Sequence, residues 1–514
     1  MSGDRRTDGR TQLARDTLLS LAAITIVGGS AALYNVAVGR FLGDEVLGHA
    51  GLALAVGLGA AQLATAGLAP ATTRFAAALR AAGRTDAAQA ALRRGIGLGV
   101  ALGCVVASAA LLSSSWWAGY VHMPEALVGA TVALIALQSG YLALKAGLYG
   151  TGRVRGYALT EVVGGAAFLA ALVALVGWAM REPPSWMHGA GALLAPFLAA
   201  NAVFVMLAVW LLLRDRAAQG APSRAGAAAS RGAEPAADAR LASPPEAARD
   251  ELTMGRYAVI AWIGSAAAMA RVHLAVLATG AAWPAAEVGL LQAAMAFVAA
   301  VLLVPRAIEL ALFPSMAGAF GRADDDAFRS HLSATLAASV TAVGAVSGGL
   351  IVAGPELLTR LYGPEFAAAR PALDGAVASA WMLGLAVPAI VALSSARAVV
   401  VPNVAGVLGL LASGAAWLWW VPQHGAAGAA AGLAVGSLLT LLIPVVAARH
   451  LYGLPLLPVA PSLLRSLVLL FVAVAATRIG SAPAVLTAVV YALAVVALDR
   501  RTLAPLVGRA QALS

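Results

Sequence analysis

Charged side chains inside long apolar stretches are the residues of this sequence most able to do chemistry. Arg271 lies about sixteen residues into an apolar stretch that begins near residue 255, with His273 two positions later and no acidic residue within one helical turn. Arginine keeps its proton in proteins, and an unpaired charge in apolar surroundings is costly. We therefore expect Arg271 to bind an anion in a wet cavity; an ion pair with a carboxylate on another helix is the alternative.

Five further charges lie near one end of other apolar stretches, and together they predict a basic vestibule. Taken singly, Arg306 and Glu309 are three residues apart and can pair with each other, and a long basic side chain can extend to lipid headgroups. A phosphate dianion needs paired positive charge before it leaves water, so a vestibule of this kind suits a phosphorylated substrate. The five residues are Arg74, Lys145, Glu161, Arg306 and Glu309.

Amide side chains within the apolar stretches are the second group of candidates. They can hydrogen-bond sugar hydroxyls, or they can join helices by hydrogen bonds to one another. These amides are Asn35, Gln62, Gln138, Asn201 and Gln292. The predicted substrate cavity comprises Arg271, Arg74, Lys145, Arg306, Glu161, Glu309, His273, Asn35 and Gln292.

The motifs of several enzyme classes are absent from the sequence. It contains no phosphate-binding loop of the nucleotide-hydrolysing type and no HExxH motif, and its one cysteine, Cys104, lies inside an apolar stretch. Gly150 and Gly152 belong to a short basic loop between predicted helices, so they are not a dinucleotide-binding turn. No cofactor, catalytic residue or metal site is predicted.

The composition places these residues in a membrane. Hydrophobic residues make up 61% of the chain and charged residues 11%, whereas about a quarter of the residues of soluble domains are charged. The apolar residues come in blocks of about 20, the length that crosses a bilayer. Lipid offers the backbone no hydrogen-bond partner, and the blocks lack the alternation of barrel strands. The sequence therefore predicts an all-α membrane protein.

About fourteen transmembrane helices are predicted, as two six-helix lobes around a central cavity plus a C-terminal pair. The predicted segments are a cytoplasmic N-terminus (1–16), an N-lobe (17–213), a disordered cytoplasmic linker (214–254), a C-lobe (255–448), and a helix pair with a cytoplasmic tail (449–514). The predicted spans are 17–38, 47–69, 95–115, 126–149, 157–179, 190–213, 255–279, 286–313, 333–357, 372–395, 403–421, 426–448, 462–478 and 481–498.

Arginines set the predicted orientation. The net charge of +10 would suggest nucleic-acid binding in a soluble protein, but here arginine is concentrated in alternate loops. By the positive-inside rule both termini are cytoplasmic and no nucleic-acid partner is expected. We expect a multi-pass protein of a bacterial cytoplasmic (inner) membrane.

The two predicted lobes contain similar short sequences at matching positions. After the first span the chain reads GDEVLG (43–48), and after the seventh it reads AAEVG (285–289). An odd cytoplasmic linker between two six-span units would give both lobes the same orientation, which is a parallel repeat. The alternative is chance similarity among helices rich in glycine and alanine.

Three short motifs resemble those of polysaccharide and lipid-linked oligosaccharide flippases. This family belongs to the superfamily that also holds multidrug/toxin extruders and the peptidoglycan-precursor flippase. The motifs are NVAVGRFLGDEVLG (35–48), GLAPATTRFA (67–76) and PELLTRLYGPEFAAA (355–369). The resemblance covers roughly residues 12–450. It implies two lobes about a cavity that opens to alternate faces, a lipid-linked saccharide substrate among membrane lipids, and a polysaccharide polymerase or assembly machinery as partner.

Three functions follow as hypotheses. The first is a flippase of lipid-linked saccharides, which the basic vestibule favours. The second is a multidrug or organic-cation antiporter, which would need carboxylates inside the helices; Asp16 and Glu251 only precede the first and seventh spans. The third is a membrane glycosyltransferase or polymerase, for which Asp44 and Glu45 are an outer carboxylate pair, but the short outer loops disfavour it. Membrane potential, ion coupling and consumption of the product stay open as driving forces.

Overall fold

The structure is a computed structural model, and the residues that it describes are helical or lie in short connections, with no strand among them. These residues are 26, 28–65, 67–81, 83–151, 154–181, 190–220, 250–321, 324–396, 398–454, 456–457, 459–479 and 482–500. The predicted N-terminal segment 1–16, most of the linker 214–254 and the tail beyond residue 500 lie outside the described residues. Helices run to Gly220 and begin again at Asp250, so both ends of the predicted linker are helical.

The helices before the linker are called the N-lobe. They are α1 (28–42), α2 (Asp44–Thr65), α3 (Leu68–Ala81), α4 (Thr85–Leu112), α5 (Ser114–Tyr120), α6 (Glu125–Gly150), α7 (Val154–Arg181), a 3-10 turn (Ala190–Leu194) and α8 (Ala195–Gly220).

The helices α9 to α13 after the linker are called the C-lobe, and α14 and α15 form the C-terminal pair. They are α9 (Asp250–Ala282), α10 (Ala285–Gly321), α11 (Asp325–Leu361), a 3-10 turn (Pro364–Ala369), α12 (Arg370–Ser395), α13 (Val400–Tyr452), α14 (Ala460–Arg478) and α15 (Ala484–Leu498).

The all-α membrane fold predicted from the sequence is confirmed. Among the described residues, 11 helices are long and apolar enough to cross a membrane, and α15 is a shorter apolar helix. Helix α13 has 53 residues, or about 80 Å of helix against about 30 Å of hydrocarbon, which is enough to cross twice. The exact count of fourteen spans stays a prediction.

Helix α13 folds back on itself at Gly425. This residue has φ 53° and ψ −126°, a conformation that favours glycine. Glu287 on α10 stabilises the break, because its Oε2 accepts a hydrogen bond from the Ala426 backbone N–H at 3.0 Å. Trp283 donates from Nε1 to the Val421 carbonyl at 2.7 Å on the other side of the break. The two segments of α13, 400–424 and 426–452, are therefore contacted on both sides of the break by the α9–α10 connection and the first turn of α10.

The lobes meet where α2 crosses α10. A Cβ on Gly48 would collide with the carbonyl of Ala285, and a Cβ on Gly289 would collide with the carbonyl of Asp44. Gly48 lies four residues after Asp44, the first residue of α2, and it packs on Ala285, the first residue of α10. Gly289 in turn lies four residues after Ala285 and packs on Asp44. This reciprocity is what a parallel repeat predicts for two matching helices related by a two-fold axis.

The C-terminal pair is attached to the C-lobe through Asp499, which is buried. Its carboxylate accepts hydrogen bonds from Thr341 Oγ1 on α11 at 3.1 Å and from Ser462 Oγ on α14 at 3.0 Å. Arg465 Nη2 forms an ion pair with the same carboxylate at 2.9 Å. The pair thus packs against α11, away from the α2–α10 crossing.

Candidate functional site

A cavity of about 160 Å³ lies between the two lobes. It is bounded by α1, α2 and α8 of the N-lobe and by α9 and α10 of the C-lobe. Its polar lining residues are Asn35, His273 and Gln292, and the remaining lining is apolar, with Phe197 as the aromatic side chain. Three of the nine residues predicted for the substrate site therefore lie together, although they come from α1, α9 and α10.

Small residues on α2 place two of these polar side chains. A Cβ on Gly51 would lie 2.6 Å from Nε2 of Gln292, and a Cβ on Gly59 would lie 3.1 Å from the His273 ring. Since residues 51 and 59 are eight apart, they share one face of α2. The Gln292 and His273 side chains from the C-lobe therefore each lie against a glycine of the N-lobe.

His273 also makes a hydrogen bond across the lobe boundary. Its Nε2 is 3.2 Å from Gln62 Oε1 on α2. An amide oxygen only accepts, so the imidazole donates from Nε2. This contact fixes the ring against α2 and leaves Nδ1 of a neutral imidazole as an acceptor. Gln62 is one of the five amides named in the sequence analysis. Through this contact with His273 it lies next to the cavity lining.

The cavity lining is mostly apolar, and its three polar side chains carry no fixed charge. None of the described lining side chains is a carboxylate, a lysine or an arginine. Amide and neutral imidazole groups both donate and accept hydrogen bonds, but they carry no negative charge to attract a cation. The arrangement suits neutral, hydroxyl-rich groups with an apolar surface, because both kinds of contact are available in one small volume.

Arg271 lies beside this cavity and is not among its lining residues. The side chain is buried, and Nη1 donates to Thr440 Oγ1 at 3.1 Å. A Cβ on Gly409 would lie 3.2 Å from the same Nη1, so the guanidinium lies where the two segments of α13 pack together. The ion pairs in the described part of the chain do not include Arg271. Val272 and His273, its neighbours on α9, line the cavity.

Lys145 and Glu161 form a second cluster, within the N-lobe. Lys145 Nζ is 3.7 Å from Glu161 Oε1. Tyr141 lies between them, because its hydroxyl donates to Glu161 Oε1 at 2.6 Å and accepts from Lys145 Nζ at 3.2 Å. The two predicted vestibule charges therefore neutralise each other in this structure, and their site is separate from the central cavity.

For three of the remaining predicted residues, the structure describes only the backbone. Two further amides from the sequence analysis form a hydrogen bond between helices. Arg74 lies on α3, and Arg306 and Glu309 lie on α10, but their side chains are outside the described residues. Asn201 on α8 donates to Gln138 on α6 at 2.8 Å, so these two amides join helices of the N-lobe.

Sequence reasoning missed two tyrosines and one threonine that contact the buried cations. Tyr141 and Lys145 are four residues apart on α6, and Tyr157 and Glu161 are four residues apart on α7. This spacing places each pair on one helix face and is a signal that the sequence carries. Thr440 had no comparable signal, because its contact with Arg271 depends on how α13 folds back.

Comparisons with known proteins identify the fold. No protein-family model matches the chain, and no curated protein matches its sequence. The chain is similar to an inward-facing multidrug resistance transporter of the MATE family, in the MOP superfamily, with 13% identity over 84% of this chain and 94% of that chain and a TM-score of 0.62.

The lipid II flippase MurJ in an inward closed conformation is also similar, with 10% identity over 95% of this chain and 99% of that chain and a TM-score of 0.60. A MATE transporter in complex with MaD3S has 15% identity over 86% of this chain and 96% of that chain and a TM-score of 0.53. The chain therefore has the fold shared by MATE transporters and MurJ.

Proposed function

We propose that this chain is an alternating-access transporter that flips a lipid-linked saccharide precursor across a bacterial cytoplasmic membrane. The observation that carries the proposal is the cavity between the lobes, whose polar lining consists of Asn35, His273 and Gln292 and holds no described carboxylate. Sugar hydroxyls match these donors and acceptors, whereas an organic cation finds no countercharge. The fold supports transport, since both a multidrug transporter and a lipid II flippase share it.

In the proposed cycle, this structure corresponds to a state that is closed at the outer end of the cavity. The α2–α10 crossing closes the end of the cavity that the arginine distribution predicts to be external. Substrate would therefore enter after the lobes separate at the opposite, cytoplasmic end.

The proposed roles divide the predicted site residues into two groups. Asn35, His273 and Gln292 hydrogen-bond the saccharide. We propose that the arginines Arg74 and Arg306 receive the phosphate groups at the cytoplasmic end, and that Arg271 adds positive potential from behind the cavity wall. Glu309 can pair with Arg306, three residues away, and Lys145 and Glu161 are paired with each other and contact no phosphate in this proposal. No catalytic residue or cofactor has a role in this cycle.

The test is the leaflet distribution of lipid-linked saccharides in cells that carry Gln292→Ala. Gln89 on α4 is exposed and does not line the cavity, so Gln89→Ala is a matched control for the same chemical change. We expect Gln292→Ala, at equal protein level, to accumulate a lipid-linked intermediate in the cytoplasmic leaflet and Gln89→Ala to behave like wild type. Depletion of the whole protein without change in any lipid-linked species would overturn the proposal.

The multidrug or organic-cation exporter is the alternative that shares this fold. It predicts efflux of a cationic dye driven by a proton gradient, in vesicles that hold the purified protein. We expect no such efflux, because the described cavity lining offers no carboxylate to a cation. Saturable dye efflux would favour the exporter over the flippase.

The enzyme alternative rested on Asp44 and Glu45, and the structure gives both residues a structural role. Asp44 Oδ1 accepts a hydrogen bond from the Glu45 backbone N–H at 2.8 Å, and both acids lie in the first turn of α2. Negative charge at the N-terminus of a helix is favourable. The pair therefore stabilises the start of the helix that crosses α10.

A further inference from the structure

The cluster around Lys145 lies outside the central cavity and has a composition of its own. Tyr141 and Lys145 come from α6, and Tyr157 and Glu161 come from α7. Lys145 Nζ is 5.3 Å from the centre of the Tyr141 ring and 5.2 Å from the centre of the Tyr157 ring. The Glu161 carboxylate lies 3.7 Å from the same nitrogen. The same nitrogen donates to the Tyr141 hydroxyl at 3.2 Å, so it lies at the hydroxyl end of that ring. The ammonium group is thus bound by the Tyr141 hydroxyl, the Tyr157 ring and the Glu161 carboxylate.

The three groups around the ammonium are more buried than the ammonium itself. The Glu161 side chain is 5% exposed and the Lys145 side chain is 30% exposed, and Tyr157 is fully buried. A buried carboxylate is stable only when it is paired and hydrogen-bonded. Tyr141 supplies the hydrogen bond to it, at 2.6 Å, and the positive charge reaches it along the lysine side chain from the more exposed side.

A tyrosine hydroxyl, an aromatic ring and a carboxylate together suit an alkylammonium group, since the hydroxyl accepts a hydrogen bond from it and the ring and the carboxylate attract its charge. Lys145 is the one lysine in the chain, and its side chain ends in this site. We propose that Tyr141, Tyr157 and Glu161 form an alkylammonium-binding site of the N-lobe and that Lys145 is its built-in ligand. Free ammonium ions are excluded from the site as long as Lys145 occupies it.

The proposal predicts chemical rescue. Lys145→Ala keeps Cβ and removes three carbons and the ammonium of the built-in ligand, and n-propylammonium replaces them. We expect the unfolding temperature of purified Lys145→Ala to fall, and millimolar n-propylammonium to restore it saturably at constant ionic strength. Wild type should need at least tenfold more n-propylammonium for any comparable shift. Lys145→Ala/Glu161→Gln is the matched control, in which the carboxylate is gone and no rescue is expected.

Three results of this experiment would overturn the proposal. They are equal shifts in wild type and Lys145→Ala, equal rescue of the Lys145→Ala/Glu161→Gln double variant, and equal rescue by neutral n-propanol. None of them depends on the transported substrate, so failure of this proposal is distinguishable from failure of the flippase proposal.

A second measurement uses a folded protein if Lys145→Ala does not fold. Because Lys145 is the one lysine, reductive methylation with ¹³C-formaldehyde labels this side chain and the N-terminus alone. We expect wild type to react slowly and to give a ¹³C-methyl resonance shifted by the two rings, and Glu161→Gln to react at least tenfold faster. Wild-type labelling at the rate of a free lysine, with an unshifted resonance, would contradict the assignment.

Discussion

Each lobe holds one basic side chain among its helices, partly buried in the N-lobe and buried in the C-lobe, and the two lobes stabilise it in different ways. In the N-lobe, Lys145 is paired with Glu161 and lies against Tyr141 and Tyr157. In the C-lobe, Arg271 is more deeply buried, and its described hydrogen bond goes to the neutral hydroxyl of Thr440. In the described part of the chain, Lys145 has a carboxylate partner and Arg271 has none. Two lobes with matching helices thus differ in electrostatics.

This difference in pairing predicts different roles for Lys145 and Arg271. A neutralised pair exerts little field beyond its own contacts, so the N-lobe cluster acts locally. The field of Arg271 is not cancelled by a described carboxylate, and its neighbours Val272 and His273 line the cavity. Charges interact strongly through a low-dielectric interior. Under the proposed function, we expect Arg271 to make the cavity attractive to an anion without touching it, which would reconcile a described lining free of fixed charge with a phosphorylated substrate.

The largest expected effect is that of Arg271→Met on transport. Across about 10 Å, the width of a helix, and at an effective dielectric constant of about 20, two unit charges interact with about 1.7 kcal/mol. For a phosphate dianion the loss is about 3 kcal/mol, or roughly a hundredfold in affinity. We expect flipping by Arg271→Met in vesicles to fall by about that factor, at equal protein level.

Arg271→Lys tests whether Arg271 acts through its positive charge or through its packing. It keeps the positive charge but loses the planar donor group that reaches Thr440. If the field matters, Arg271→Lys should keep most of the flipping that Arg271→Met loses. Equal loss in both variants, together with equal loss of thermal stability, would assign Arg271 to packing alone.

The next effect is on stability in the N-lobe. Glu161→Gln leaves the ammonium of Lys145 without its carboxylate, and breaking a partly buried pair in this way should reduce the free energy of unfolding by about 2 kcal/mol. Lys145→Met/Glu161→Gln removes both charges and should recover most of that loss. The measurement is a double-mutant cycle on unfolding in detergent. Additive losses would show that the two side chains do not interact.

Much of the fold could be predicted from the sequence, because the membrane allows few choices. Apolar blocks of about 20 residues must be helices, and the helices of the structure lie over the predicted spans, with the first described helix at 28–42 where 17–38 was predicted. The sequence also placed acidic-Val motifs in matching positions, at GDEVLG and AAEVG. Their reciprocal packing could not be predicted, because it depends on backbone approach between α2 and α10.

The candidate site was harder to predict than the fold. Asn35, His273 and Gln292 were predicted from the sequence as polar residues of the substrate site, which stays a prediction. The structure places all three at one cavity, and their meeting there depends on how the lobes pack. Arg271 and His273 are two residues apart, so on a helix they point to nearly opposite faces. Sequence reasoning treated them as neighbours, and the structure places one beside α13 and the other against α2.

A smaller effect is expected at the α2–α10 crossing, where the lobes must separate if access alternates. Gly48→Ala and Gly289→Ala each add a methyl group where there is no room, so both should destabilise the crossing to a similar extent. We expect each to raise the labelling rate of a single cysteine at Ala55 by an external maleimide about threefold, in a Cys104→Ser background. Gly414→Ala is the control, since its Cβ meets no atom within 4 Å.

Different labelling rates in Gly48→Ala and Gly289→Ala would show that the two lobes do not contribute equally to the crossing. If Gly48→Ala alone opened the cavity, the N-lobe start of the crossing would be the moving part and the C-lobe start a fixed support. If neither variant changed the labelling rate while both lowered stability, the crossing would be a permanent contact, and access would have to open elsewhere.

The smallest expected effect is that of Thr440→Val, which removes the hydroxyl that Arg271 donates to at 3.1 Å and leaves the charge in place. A single hydrogen bond to a charged group contributes about 1.5 kcal/mol, so stability should fall by about that amount. Flipping should fall by no more than a few fold, because the field of Arg271 persists. Thr440→Ser keeps the hydroxyl and should behave like wild type. If Thr440→Val abolished flipping as completely as Arg271→Met, the orientation of the guanidinium would matter as much as its charge, and the C-lobe cation would act through a defined contact, as the N-lobe cation does.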